Sequence, residues 1–147
     1  MIDSIKKIRE QTGLSVADIK VALEEAGGDE EKAMKILQER GHKIAEKKSG
    51  RKAEEGIIDS YIHTTKKVGA MIVLNCETDF VAKSADFLEL AHALAMQIAS
   101  MDPKDADELM NQTYIREPEL TIKDLVNKYI AKLGENIKIG GFIRFSI

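Results

Sequence analysis

The side chains best suited to chemistry gather in one stretch, MIVLNCETDFVAKS at residues 71–84. There the single cysteine, Cys76, is followed by Glu77, Asp79 and an aromatic ring at Phe80. A cysteine nucleophile needs a neighbouring base or a positive field, because the thiolate is the reactive form. Cys76 has acids beside it instead, which raise a thiol pKa. Folding could bring His63 or His92 near, but His92 falls on the apolar face of a helical segment and reads as a packed residue. Metal binding by Cys76, Asp79 and a histidine lacks the paired spacings Cys-x-x-Cys or His-x-x-x-His. Neither a G-x-x-x-x-G-K-[ST] nor a G-x-G-x-x-G loop occurs, so direct nucleotide binding is not expected. The chain is expected to be no enzyme and to use no metal or cofactor.

Surface recognition is what remains, and Phe80 has two readings. Beside Asp79 in the first turn of a helix, its ring could insert into a partner. It could equally be a core anchor packed on the preceding strands, and periodicity slightly favours the anchor.

Composition limits the partners. The 147 residues suit one domain, or a small one joined to a larger, with 44% hydrophobic and 32% charged residues typical of a globular chain. A net charge of −3 gives no general attraction to nucleic acid, whose binding depends on Lys and Arg displacing phosphate counterions. The local exception is RGHKIAEKKSGRK at 40–52, with six Lys or Arg and one acid. It lacks the interleaved aromatic rings that stack bases, so a solvated linker is preferred over a contact for RNA or an acidic partner. No apolar run approaches the ~20 residues that span a bilayer. One cysteine and no signal-peptide-like start make the cytosol the expected compartment.

The elements that must position these residues follow from capping and period. Three short helices are expected within residues 1–41. Asp3 caps the first, Ser15 and Asp18 start the second, Asp29 starts the third, and Gly13, Gly27 and Gly41 act as stops. Ile2, Ile5, Ile19, Leu23 and Leu37 are their expected core. A basic linker at 42–55 leads to an α+β domain at 56–147. It opens with an antiparallel pair of strands, the AMIVLNC strand being the more central.

A long helix is expected next, capped by Thr78 or Asp79, with Val81, Ala85, Leu88, His92, Ala95 and Ala99 on one face. Phe80, Phe87, Ala91, Leu94 and Ile98 widen that face enough to require a second element or a partner over it. A helix capped by Asp102 with Pro103 at its first position follows, then one started by Thr121 and Asp124 and stopped by Gly134. A terminal strand carries a Gly140–Gly141 bulge or close approach. The fold class is therefore α+β, a helical module followed by a small antiparallel sheet packed against helices.

Four segments then resemble one family. NCETDFVAK at 75–83 is similar to the hallmark of bacterial elongation factor Ts, the guanine-nucleotide exchange factor of elongation factor Tu. Residues 8–41, IREQTGLSVADIKVALEEAGGDEEKAMKILQERG, look like that family's amino-terminal module, a three-helix unit similar to ubiquitin-associated domains. RKAEEGII and GFIRFSI resemble its linker-to-core signature and its final strand.

The resemblance implies that Thr78, Asp79, Phe80 and Val81 form the turn that pushes into elongation factor Tu near its magnesium and phosphate sites, with Phe80 as the wedge. It also puts Leu14, Val16, Ile19 and Lys20 at the partner surface. GDP-bound and nucleotide-free elongation factor Tu are the implied partners, and a short, single-core chain of this kind is expected to pair with a second copy. Glu77 departs from the family pattern, standing where some members carry an amide. The competing function is an adaptor that binds protein or RNA through the helical module and the basic linker.

Overall fold

The computed structural model describes residues 1–147. Three helices open it: α1 (Ile2–Thr12), α2 (Val16–Glu25) and α3 (Glu30–Lys48). Each boundary has a local cause. Gly13 takes φ 69°, and its N–H donates to the Arg9 carbonyl to close α1. Ser15 and Asp29 accept from the backbone N–H groups of Asp18 and Lys32 at the starts of α2 and α3. Ile8, Ile19, Ala22, Leu23, Ala33 and Leu37 form a small core between these helices. Two details differ from expectation. Ile2 is exposed, because the first residue of the helix lies beyond the reach of the three-helix core, and Met1 rather than Asp3 holds the cap position.

Helix α3 also runs two turns beyond its expected stop. Gly41 lies inside it, at the crossing with α7 (Ile122–Leu133), where a Cβ would sit 3.6 Å from that of Ala131 and 3.9 Å from the Asn127 carbonyl. A small residue here serves close helix packing, and the hydrogen-bonded ladder simply continues through it. Residues 42–48, expected as linker, are therefore helical, and Ala45 joins the larger core. His42 Nε2 lies 2.9 Å from Asp124 Oδ1, close but without hydrogen-bond alignment. Lys48 Nζ donates to the Gly134 carbonyl at 2.9 Å.

The second core is built on a three-stranded antiparallel sheet of order β1–β2–β3: β1 (Glu55–Ile62), β2 (Val68–Cys76) and β3 (Lys138–Ser146). Alternation decides which face is covered. Ala70, Ile72, Leu74 and Cys76 are buried towards the helices, while Gly69, Met71, Val73 and Asn75 point the other way. The register of β3 shifts by one residue between Val73 and Leu74, leaving Gly140 unpaired. A Cβ on Gly140 would collide with the Asn75 and Val73 side chains, so both the bulge and the close approach expected there are present.

Behind the sheet, one long helix is replaced by two, α4 (Asp79–Ala82) and α5 (Ala85–Met101). Ser84 breaks them apart, because its side chain accepts from the Phe87 N–H and restarts the helix on a new axis. The buried face of α5 is Phe87, Leu90, Ala91, Leu94, Ala95 and Ile98, whereas Leu88 and His92 of the expected stripe are exposed. Ala95 and Ala99, further along the same stripe, are buried, so the exposed members are those in the first two turns of α5 rather than a whole face.

The sheet and α7 share the task of covering that face. Asp102 is not a helix start but the left-handed end of α5 (φ 47°), where Arg144 NH1 lies 3.6 Å from its carboxylate. The next helix, α6 (Ala106–Asn111), is capped by Asp105, so Pro103 lies in the connection. Thr121 and Asp124 form the expected reciprocal box at the start of α7. No helix is long and apolar enough to cross a membrane.

Candidate functional site

The end of β2 and the single turn of α4 together make a rigid projection. Thr78, extended at φ −125° and ψ 153°, accepts from the Val81 N–H through Oγ1 at 3.2 Å. That bond fixes one turn of helix, and successive side chains of the turn then diverge by ~100°. Val81 and Ala82 go into the core. Phe80 goes outward and is 84% exposed, so the core-anchor reading of this ring fails. Asp79 also faces solvent, 3.5 Å from Lys83 Nζ in an exposed ion pair of little energetic weight.

A loop between α7 and β3 grips this projection from behind. Glu135 Oε1 accepts from the N–H groups of Glu77 (3.1 Å) and Thr78 (3.0 Å), and its Oε2 accepts from the Thr78 hydroxyl at 2.7 Å. In return Glu77 Oε1 accepts from the Asn136 N–H at 2.8 Å. The buried Asn136 amide donates to the carbonyls of Arg51 (2.8 Å) and Ser49 (3.4 Å). Sequence reasoning did not single out Glu135. Its only local signal was its place just after a helix-ending glycine.

Cys76 is fully buried, and its thiol donates to the Thr78 carbonyl at 3.1 Å. Burial first, and then the Glu135 charge, push it up to about 11, which leaves almost no thiolate at neutral pH. The histidines have other partners. His92 Nδ1 lies 3.3 Å from Asp59, with its ring edge-on to Tyr61, and His63 Nδ1 lies 3.0 Å from the Tyr61 hydroxyl.

In the helical module Val16 and Lys20 are exposed and Leu14 is half-buried. Ile19 is completely buried, which removes it from any contact surface: it faces the three-helix core because it lies one turn before Leu23 on the same face. The loop carrying Leu14 lies against the main core, since the Lys132 stem crosses directly over Gly13 and its ammonium donates to Asp86 at 3.0 Å. Asp86 is in the first turn of α5, just after the Phe80 projection. A groove of about 490 Å³ separates the module from α7, with Leu14, Met34, Leu120 and Lys128 among its walls.

Opposite the helices, the sheet is bare. Ile58, Ile62, Met71, Ile143 and Phe145 are each about half or more exposed, and the exposed charge on this face, Lys138 opposite Asn75, stands at one end of the sheet beyond them.

A family model described as elongation factor TS matches residues 77–147, from the gripped turn to the last strand. The elongation factor Ts of Thermotoga petrophila is 41% identical to this chain, the match covering 99% of the chain and 95% of that protein. The chain belongs to the elongation factor Ts family. The Thermotoga maritima elongation factor Ts is 40% identical over the same shares. That of Clostridium botulinum is 45% identical over 98% of this chain but only 47% of its own length. With Thermotoga the match runs over 189 positions, more than the 147 residues available here, so those elongation factor Ts chains carry inserted segments that this one lacks.

Proposed function

We propose that this chain is the guanine-nucleotide exchange factor of elongation factor Tu in translation elongation, and that the turn Thr78–Val81 enters the partner near its magnesium and phosphate site. The observation that carries this reading is Phe80, a large apolar ring held 84% exposed on a turn whose neighbours Val81 and Ala82 are buried. A ring in water costs free energy that only a partner recovers. In this reading Phe80 is the wedge, Asp79 sets the charge beside it, Thr78 caps the turn and Val81 roots it. Leu14, Val16 and Lys20 form the second contact, on a helical module akin to ubiquitin-associated domains, and a cytosolic location goes with the role.

The thermodynamics constrain the cycle. Coupling between two ligands of one protein is reciprocal, so a factor that favours the nucleotide-free partner weakens GDP binding as much as GDP weakens the factor. Release of fluorescent GDP from elongation factor Tu tests the proposal. The wild-type chain should accelerate release and Phe80→Ala should not, whereas no acceleration by the wild-type chain overturns the reading.

Pairing with a second copy belongs to the same proposal, although the wide apolar face of α5 no longer argues for it, being covered within the chain. The bare outer face of the sheet does, because an apolar sheet surface is most readily buried against another sheet. Mass in solution should correspond to two chains, and Phe145→Glu should reduce it to one. A monomer at high concentration removes this part.

A further inference from the structure

We infer that Glu135 is a positioning residue, which sets the direction in which the Thr78–Phe80 projection leaves the protein; this rests on the exchange reading above. A single helical turn has no stability of its own, since nucleation fixes several residues for one hydrogen bond. Something outside α4 must therefore hold it. The Glu77 and Thr78 N–H groups precede the helix and have no ladder partner, and one carboxylate oxygen of Glu135 accepts both. Charge-assisted bonds of this kind are roughly twice as strong as neutral ones.

The other oxygen acts through the cap. By accepting the Thr78 hydroxyl proton, Glu135 turns a Thr78 lone pair towards the Val81 N–H, so cap and clamp form one relay from Glu135 to Thr78 to Val81. The exit of Phe80 is fixed between the two ends of that relay.

Glu135 is itself held. It follows Gly134 (φ 77°), whose N–H closes α7 on Ile130 and whose carbonyl receives Lys48 from the end of α3. It precedes the buried Asn136, whose N–H is taken by Glu77. Side chain 135 grips backbone 77, and side chain 77 grips backbone 136. Lys48, Ser49 and Arg51 meet the same loop, so the junction also ties the end of the helical module to the projection.

Two measurements on the full chain test the inference. The first needs no partner: amide hydrogen exchange at Glu77, Thr78 and Val81 should speed up in Glu135→Ala while the β2 amides keep their protection. The second is GDP release with increasing factor. Displacing a positioned group by about an ångström can cost up to a hundredfold, so the saturated rate should fall roughly tenfold or more in Glu135→Ala, with the half-saturating concentration changed by less than about threefold.

Glu135→Asp, which keeps the charge but withdraws it by one methylene, should lose saturated rate as well. Glu135→Gln, which keeps an acceptor oxygen, should lie nearer wild type than either. Folded Ala and Asp variants with wild-type saturated rates overturn the inference, and if Glu135→Ala does not fold, Glu135→Asp decides. If the wild-type chain itself fails to accelerate release, the exchange reading falls, and the amide measurement still decides whether Glu135 holds the turn.

Discussion

Phe80 and Phe87 stand seven residues apart and face opposite fates: Phe80 is 84% exposed at the tip of α4, and Phe87 is 0% exposed beneath α5. Two turns of one continuous helix would have set both rings on the same side. The break at Ser84 sends them apart, and the packing role first available to either ring belongs to Phe87 alone.

Phe80→Ala should accordingly leave folding intact. A surface truncation without hydrogen-bond partners changes stability by within about 0.5 kcal/mol. Thermal midpoints of the two proteins should coincide while stimulated GDP release is lost. A clear drop in midpoint would mean that the ring is packed after all.

Phe87→Ala should do the reverse. Emptying a fully buried phenylalanine site costs about 3–5 kcal/mol, because the walls of the cavity relax only partly. In a chain of this length the melting point should fall by about 10 °C or more. Cold, folded variant should still accelerate GDP release, since the outward ring is untouched.

Gly41→Ala should stabilise the protein. Glycine in a helix interior is about 0.8–1.0 kcal/mol less favourable than alanine. An added methyl would meet Ala131 at an ordinary contact distance of 3.6 Å. A gain of about 0.5–1 kcal/mol in chemical denaturation is expected, and Gly41→Leu should lose stability by wedging α3 from α7. A destabilised alanine variant would show the crossing to be tighter than this spacing.

Capping residues and strand alternation made the element order legible: Ser15, Asp29, Thr78 and Thr121 all cap the helices they precede, and β2 lies in the middle of its sheet. Two local signals misled. Gly41 carries the composition of a stop but is selected by a helix 80 to 90 residues further on, a contact that no local window contains. Ser84 is a good cap hidden inside an apolar pattern that remains helical on both sides, so the pattern hides the break. At the candidate site, residues 78–81 were readable because they adjoin in sequence. Glu135 was not, as its clamp exists only after α7 returns the chain to the end of β2.

Alkaline pH should weaken the fold, and the direction follows from three groups. Burial holds the Cys76 thiol at about 11 against an ordinary 9.0, and burial likewise raises the phenols of Tyr129 and Tyr114 above their ordinary 10.0. Unfolding releases them to ionise at those ordinary values. Below about pH 9 both states keep these protons and the full stability is present. Above it the unfolded chain binds fewer protons than the native one, and stability falls as pH rises. Denaturant midpoints should therefore be level from pH 7 to about 8.5 and decline steadily beyond. Cys76→Ala should delay the first part of that decline and leave the part due to the tyrosines. Thiol reagents supply an independent check, because modification of Cys76 in the native protein at pH 8 should proceed only at the rate of local opening. Rapid labelling under those conditions, or a midpoint that stays flat to pH 11, would contradict this account of the buried groups.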